Sequence, residues 1–272
     1  MRIIISPAKQ MRVDTDTFAC STLPVFMEKT EILMQWIQRL SYEEQKKLWA
    51  CSDKIARQNA ERFENMDLRQ NLTPALLSYD GIQYTYMAPA VFEDGQYNYV
   101  QNHLRILSGF YGVVKPMDGV VPYRLEMQAK AAVSGFKNLY DFWGDSLYRE
   151  VADDSRIIVN LASKEYSRCI EKYLQPDDRY ITCTFGELEG DKIVQKGVYA
   201  KMARGEMVCS WQGSLQKPRS RSRPLTGADI ITIRNALPTM NMFSSAPKYR
   251  EKERNEQAQD GGRASAADEQ EI

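Results

Sequence analysis

Two short hydrophobic runs, far apart in the chain, each lead directly into a small polar turn. Arg2–Ile5 is followed by Ser6-Pro-Ala-Lys9, and Ile157–Ala162 is followed by Ser163-Lys-Glu-Tyr166. β-branched runs of this length predict buried strands, and ligands of α/β proteins bind beyond the carboxyl ends of such strands. The chain therefore predicts an α/β sheet with one shared functional edge. The candidate ligand-binding residues at that edge are Lys9, Asn160 and Ser163.

The stretch from Leu104 to Asp118 adds a pair of closely spaced glycines. Its apolar residues recur at helical spacing, so we predict a helix that ends in a glycine turn. A Gly-x-x-Gly turn allows a positive φ and a close approach of a ligand to backbone N–H groups, as phosphate-binding turns require. The alternative is an ordinary helix C-cap. The glycines and cations of a phosphate-binding turn would be Gly109, Gly112, Lys115 and Arg124.

Other cations are predicted to share helical faces. A helical period runs over about residues 26–63, and Ser41-Tyr-Glu-Glu44 has the sequence of a capping box. Two pairs of cations are spaced to project from one side of a helix. Each pair is either a candidate anion ligand or the ordinary charged side of an amphipathic helix. The pairs are Lys54 with Arg62 and Lys201 with Arg204.

The composition narrows the function classes. With 36 basic and 36 acidic residues the formal net charge is zero, so any surface that attracts nucleic acid must be local. Five scattered cysteines and a single histidine, His103, argue against a zinc site of the usual Cys/His kind, and we expect no metal and no cofactor. No apolar run reaches the length of a signal peptide or a membrane span, so we expect a cytoplasmic protein without a membrane partner.

Seven motifs stand in a fixed order along the chain. They are Ser6-Pro-Ala-Lys9, Ser52-Asp-Lys54 with Asn59 and Arg62, Leu107 to Asp118, Pro122-Tyr-Arg-Leu-Glu-Met127, Phe142-Trp-Gly144, Asn160-Leu-Ala-Ser163 with Glu165-Tyr166, and Tyr199-Ala-Lys201 with Ala203-Arg-Gly205. Together they resemble the YaaA family of bacterial peroxide stress proteins. The resemblance defines a domain over residues 1–207, and residues 208–272 do not match it.

The resemblance implies a cytoplasmic protein of the peroxide response that limits intracellular iron and oxidative DNA damage. It also implies a compact α/β fold with a mixed central sheet, surrounding helices and a helix-hairpin-helix-like element that binds double-stranded DNA without sequence specificity. Such a hairpin holds the phosphate backbone through its N–H groups and flanking cations. The positions carried over to the hairpin and a basic cleft are Lys9, Lys54, Arg62, Gly109, Gly112, Lys115, Arg124, Lys201 and Arg204.

An enzyme that acts on a small anionic or nucleotide-like substrate in the same cleft is the alternative function. In such an enzyme, the residues that bind the anion would be Lys9, Arg124 and Arg204. This function would also explain why acids and polar strand-end residues accompany the cations. No nucleophile–base pair is recognisable in the sequence. Direct iron binding by Glu126 and Glu165 is a third alternative. The candidate catalytic residues are Asp118, Glu126, Asp141, Asn160 and Ser163.

The last part of the chain departs from the resemblance near Val208. Met240-Asn-Met-Phe243, when its codons are read one base earlier, gives a sequence similar to the Asn-Glu-Tyr-Val-Phe ending common in the family. We therefore hypothesise that the tail is translated out of frame and that its Arg/Ser run, residues 217–224, is not a nucleic-acid motif. The composition of the tail predicts that it is largely disordered.

Overall fold

A computed structural model describes residues 1–189, 192–213 and 230–235 as a mixed sheet surrounded by helices. The strands are β1 (Arg2–Ile5), β2 (Gln10–Met11), β3 (Thr73–Pro74), β4 (Tyr79–Asp80), β5 (Leu104–Ser108), β6 (Gly112–Val114), β7 (Gly119–Val120), β8 (Ile157–Asn160), β9 (Arg179–Glu189), β10 (Lys192–Val194) and β11 (Ile230–Asn235). The helices are α1 (Met27–Arg39), α2 (Tyr42–Trp49), α3 (Asp53–Glu64), α4 (Ala75–Ser78), α5 (Ile82–Met87), α6 (Asp94–His103), α7 (Leu139–Trp143), α8 (Ser146–Val151), α9 (Lys164–Glu171) and α10 (Gly197–Gly213), with a 3₁₀ turn at Pro89–Val91.

A parallel group of strands lies at the centre of the sheet. β1 pairs in parallel with β5 on one side and β8 on the other, and β8 pairs in parallel with β9. β6, β10 and β11 are antiparallel to their partners. Among the described residues this gives a 7-stranded sheet in the order β10-β9-β8-β1-β5-β6, with β11 also paired to β9. The mixed α/β architecture confirms the predicted fold class and both predicted strand-and-turn units.

The first strand is buried on both of its faces. Successive strand residues point to opposite sides of a sheet, and Ile3, Ile4 and Ile5 are all fully buried. A parallel strand that helices cover on both sides has this continuous apolar sequence. The loops that leave the carboxyl ends of β1 and β8 are therefore positioned by a rigid part of the core.

Residues 104–114 form a β-hairpin, so the helix predicted to end at the glycine turn is wrong. The preceding helix α6 already ends at His103, and β5 then pairs with β1, where Ile106 lies opposite Ile5. β6 returns antiparallel to β5. All residues of β5 are buried, so its apolar pattern lacks the alternation that identifies a half-exposed strand. A helix-hairpin-helix is not confirmed at these glycines.

The helices predicted over residues 26–63 are present as α1, α2 and α3. The capping box before α2 is confirmed, because the Ser41 amide donates to Glu44 Oε2 at 2.8 Å and the Glu44 amide donates to Ser41 Oγ at 3.4 Å. Farther along, α10 continues to Gly213. The tail that we predict to be disordered lies mainly outside the described residues, and so does its Arg/Ser run. No described helix combines the length and apolar character needed to cross a bilayer.

Candidate functional site

The loops that follow β1 and β8 meet through two serines. The Ser163 amide donates a hydrogen bond to Ser6 Oγ at 2.8 Å, and the two hydroxyl oxygens lie 3.2 Å apart. Tyr84 of α5 donates to the Ser6 carbonyl oxygen at 2.9 Å, which fixes α5 against the same loop. The edge predicted from the two strand-and-turn units therefore brings Ser163 to the loop that contains Lys9.

Charged side chains from neighbouring segments meet at this edge. Glu126 Oε1 lies 3.0 Å from both Lys9 Nζ and Arg124 Nη2. The Lys9 side chain is 64% exposed, whereas that of Arg124 is 12% exposed. Arg124 Nε is buried and has no hydrogen-bond partner among the described residues. Glu126 thus offsets much of the positive charge that the sequence places here.

Glu165 adds a second carboxylate to the cluster. Its Oε1 accepts a hydrogen bond from the Gln128 amide at 3.2 Å. Burial raises the pKa of Glu165, and the negative charge of Glu126 acts in the same direction while that of Lys9 opposes it. The cluster is charge-balanced rather than purely basic. We refer to it as the strand-end site, which comprises Ser6, Lys9, Arg124, Glu126, Ser163 and Glu165.

The glycine turn packs inside the protein against the segment that carries part of this site. A Cβ atom at Gly109 would lie 2.5 Å from the Leu125 carbonyl oxygen, so only glycine allows this close approach. Ser108 Oγ accepts hydrogen bonds from the amides of Phe110 and Tyr111 at 3.1 and 2.8 Å. These buried amides already have a partner inside the protein and are not available to a phosphate.

Lys115 and Asp118 close the next turn. The Lys115 amide donates to Asp118 Oδ2 at 2.8 Å, and the Thr22 hydroxyl donates to Asp118 Oδ1 at 2.5 Å. Asp118 is 2% exposed, and burial raises its pKa. Because both of its oxygens accept hydrogen bonds within the fold, Asp118 is placed to stabilise the turn rather than to transfer protons to a ligand.

Asp141 and Asn160 also have local partners. The Asp141 amide donates to Asn138 Oδ1 at 3.0 Å in the first turn of α7. Asn160 Oδ1 accepts from the Ala162 amide at 2.8 Å, and its Nδ2 donates to Thr182 Oγ1 at 3.4 Å. Asn160 therefore ties the end of β8 to β9. No described hydrogen bond joins Asp141 or Asn160 to a side chain of the strand-end site.

The connection between helices α2 and α3 lies near the strand-end site, because the charges of Arg124 and Glu126 act on Cys51. They are joined by residues 50–52, with Ala50 in the left-handed region at φ 45°. Burial raises the pKa of the Cys51 thiol in this connection, and the charges of the strand-end site also act on it. Lys54 is exposed on α3, whereas Arg62 is half-buried and burial lowers its pKa. The helix pair thus presents Lys54 to solvent.

Lys201 and Arg204 lie on α10, as predicted, but in different environments. Lys201 is exposed, whereas Arg204 Nε is buried without a hydrogen-bond partner among the described residues. Burial lowers the pKa of Arg204, and the titratable group beside it is Cys183 of β9. The predicted cations therefore divide into two groups. The exposed ones are Lys9, Lys54 and Lys201, and the partly buried ones are Arg62, Lys115, Arg124 and Arg204.

Sequence reasoning missed the residues that hold the site in place. Tyr84 anchors α5 to the loop after β1, and the Gln128 amide binds Glu165. A tyrosine in a helix is most often a core residue, and a backbone amide has no sequence signature.

Comparison with known proteins decides the family. The family model described as "peroxide stress protein YaaA" matches residues 1–213 of this chain. The chain belongs to the YaaA family of peroxide stress proteins. A UPF0246 protein of Agathobacter rectalis is 64% identical over 208 residues, which are 76% of this chain and 84% of that relative. A UPF0246 protein of Desulfitobacterium hafniense is 56% identical over 208 residues, which are 76% of this chain and 83% of that relative.

The resemblance to the YaaA family inferred from the motifs is thus confirmed. The matched residues include the whole strand-end site, the α2–α3 pair and α10. Within the described part of this YaaA family member, no group of three or more His, Cys, Asp or Glu side chains is arranged to hold a metal ion.

Proposed function

We propose that this YaaA family member acts in the peroxide stress response by limiting intracellular iron and oxidative DNA damage, and that it binds double-stranded DNA without sequence specificity. The observation that supports binding is the helix pair α2–α3, whose connection at Cys51 lies within reach of the charges of the strand-end site. Two helices joined by residues 50–52 have the general form of a helix-hairpin-helix. We therefore assign the DNA-binding hairpin to this pair and not to the glycine turn.

The amino-terminal end of α3 suits a backbone phosphate. Ser52 precedes α3 and makes no side-chain capping bond, so the first-turn N–H groups have no side-chain cap. Asp53 carries a negative charge there, but Arg57 and Lys46 bind it at 2.8 and 3.0 Å. Lys54 forms no ion pair with a described residue, so its ammonium group is free to contact a phosphate.

Three of the predicted binding cations are exposed, and they set the expected strength of binding. Lys9, Lys54 and Lys201 are exposed, and Glu126 already pairs with Lys9. Three phosphate contacts predict a slope of log K against log salt of about −2.7. Non-specific binding of this kind has a Kd on the order of 10⁻⁴ to 10⁻⁶ M at physiological salt.

A salt series with a fluorescent duplex tests this proposal by anisotropy. We expect log K to fall linearly with log salt and Lys54→Ala to reduce the slope by about 1. Lys137→Ala, which removes an exposed lysine outside the α2–α3 pair, is the matched control and should leave the slope unchanged. Binding that is absent or independent of salt refutes duplex binding. If Lys54→Ala leaves the slope unchanged, the α2–α3 pair is not part of the DNA interface.

The role in iron limitation needs a separate measurement. In a bacterial host without its own YaaA protein, we expect expression of the chain to lower chelatable iron and DNA strand breaks after a peroxide pulse. Comparison with Lys54→Ala shows whether DNA binding contributes, since a variant that lowers iron but not strand breaks separates the two activities. No change in either quantity contradicts the proposed role.

An enzyme that acts on a small anionic or nucleotide-like substrate is the second candidate function. It is favoured by the presence of Glu126 and Glu165 among the cations, because phosphate-backbone binding requires no carboxylate. A half-buried carboxyl group with a raised pKa, such as Glu165, suits general acid–base catalysis. Metabolites that co-purify with the wild-type chain and are lost from Glu165→Gln would support this candidate, and identical profiles would oppose it.

A further inference from the structure

Two helices that pack together, α5 and α10, each carry a buried hydrogen-bond donor for which the described residues provide no acceptor. Gln83 of α5 is 6% exposed, and its Nε2 has no partner among the described residues. Arg204 Nε of α10 is likewise buried and without a partner in the described part of the chain. Buried polar groups nearly always have partners in native proteins. Two orphaned donors on neighbouring elements therefore indicate that an acceptor belongs between them.

The two helices are in direct backbone contact at this point. Gly205 follows Arg204, and a Cβ atom there would collide with the Gln83 carbonyl oxygen and lie 2.9 Å from the Met87 nitrogen. Gln83 also belongs to the buried face of α5. Arg204 and Gln83, which carry the orphaned donors, are thus next to or part of the same helix–helix contact.

No carboxylate of the described residues balances the charge of Arg204. Among the described residues no Asp or Glu forms an ion pair with it, and the titratable neighbour is Cys183. Burial raises the pKa of Cys183 to about 11, so this thiol is neutral near pH 7. A partly buried cation without a counter-charge destabilises a fold. An anion from outside the chain would remove that cost.

The interface lies at the functional edge of the sheet. Thr182 of β9 pairs with Asn160, the last residue of β8, so Cys183 stands one residue beyond that strand end. Gln83 is followed by Tyr84, whose hydroxyl binds Ser6. Arg204 and Gln83 are therefore close to the loops that form the strand-end site.

We propose that Arg204 and Gln83 bind the carboxylate or phosphate group of a small metabolite at this edge. A guanidinium presents parallel N–H donors that match two oxygens of either group, and the glutamine amide adds a further donor. A duplex is a poor fit, because Arg204 is half-buried at a helix interface while Lys201 of the same helix is exposed. The inference concerns binding alone and does not rest on duplex binding or on catalysis.

Thermal denaturation of the full chain with added anions tests this inference. Inorganic phosphate and malonate are the probes, and sodium chloride at matched ionic strength is the control for screening. We expect at least one probe to raise the melting temperature in a saturable way that chloride does not reproduce. A response to phosphate alone identifies a phosphoryl ligand, and a response to malonate alone identifies a carboxylate.

Arg204→Met separates ligand binding from a structural role. Methionine keeps an unbranched apolar stem and removes the unpaired charge, so the melting temperature without anion should stay the same or rise. The anion response should be lost, and Gln83→Leu should weaken the apparent affinity at least tenfold. Lys137→Met removes an exposed lysine outside α5 and α10 and should leave the response unchanged.

A spectroscopic readout keeps the test independent of stability. In ¹⁵N–¹H spectra the Arg204 Nε–H resonance should shift with the same midpoint as the thermal response. The proposal is overturned if neither probe exceeds the chloride control, or if Arg204→Met responds as the wild type does. A lower melting temperature of Arg204→Met together with a retained anion response would show that Arg204 is structural.

Discussion

Replacing Gly109 with alanine tests what the glycine turn does in this fold. The added Cβ would lie 2.5 Å from the Leu125 carbonyl oxygen, 3.0 Å from the Glu126 carbonyl carbon and 3.1 Å from the Met127 nitrogen. All three are backbone atoms, so no side-chain rotation relieves the overlap. Either the hairpin or the segment 125–127 must move by about 0.5 to 1 Å to restore an ordinary van der Waals separation.

The expected loss of stability follows from this overlap. Overpacking a closed interior costs about 1–3 kcal/mol, and we expect the upper end because the backbone itself must move. In a domain of this size each kcal/mol lowers the melting temperature by about 2–4 °C, so the shift should be roughly 6–12 °C. Urea and thermal denaturation followed by circular dichroism measure it. Gly197→Ala is the control, because a Cβ there meets open space.

The same variant separates two explanations of the glycine. If the turn bound phosphate through its N–H groups, Gly109→Ala would weaken anion or duplex binding and leave stability almost unchanged. If the glycine is required for close packing, we expect the opposite result. Gly109→Ala would then mainly lower the stability of the fold, and it would affect binding only by displacing Glu126. A destabilisation below about 0.5 kcal/mol, the usual range for substitutions that touch nothing, would refute the packing argument.

Two further substitutions test the core and the surface of the domain. Tyr123→Phe removes a hydroxyl that lies 2.9 Å from Tyr79 Oη and 2.6 Å from Ser108 Oγ, so urea denaturation should show a loss of about 1–3 kcal/mol; an equal effect of Tyr199→Phe at an exposed position would contradict this. Hydrogen bonds from basic side chains hold the pKa of Asp53 below its ordinary value. The ionised Asp53 therefore stabilises the folded state at pH values above its unfolded pKa of about 4, and this contribution is lost as the pH falls further. The difference in melting temperature between wild type and Asp53→Asn should therefore shrink between pH 7 and pH 3, and a constant difference would show that the contacts of Asp53 contribute nothing.

The sequence was most informative where local chemistry decides the structure. The β-branched run Arg2–Ile5 favours a buried strand, and the polar turns after β1 and β8 identified the edge where Ser6 and Ser163 meet. The capping box before α2 was recognisable because its two hydrogen bonds involve residues in one turn. In these places a short window of sequence contains all the groups that interact.

Prediction failed where the decisive partner is distant in sequence. β5 is a strand because β1 pairs with it, and the sequence near Leu104–Ser108 contains no local signal of that pairing. In the same way, the ion pair between Lys9 and Glu126 converts an expected basic cleft into a balanced one. The burial of Arg204 depends on how α10 packs against α5, which the periodicity of α10 alone does not determine.

The out-of-frame tail stays a proposal. The matched 208 residues make up 84% of the Agathobacter rectalis relative, so the rest of that relative has no matched counterpart in this chain. A shifted frame after about Val208 would produce such a pattern. Resequencing the gene around that codon tests the idea, and an uninterrupted frame without an insertion or deletion would reject it.

The central position of β1 makes folding a late event in the synthesis of this protein. Ile3 pairs with both Leu104 and Val159, so the first strand has no complete binding place until the chain beyond β8 has been made. At about 5–20 residues per second, this takes on the order of ten to thirty seconds on a bacterial ribosome. During that time Ile3, Ile4 and Ile5 lack at least one of their two partner strands. Protein yield should therefore depend on chaperones that bind short apolar segments as they leave the ribosome.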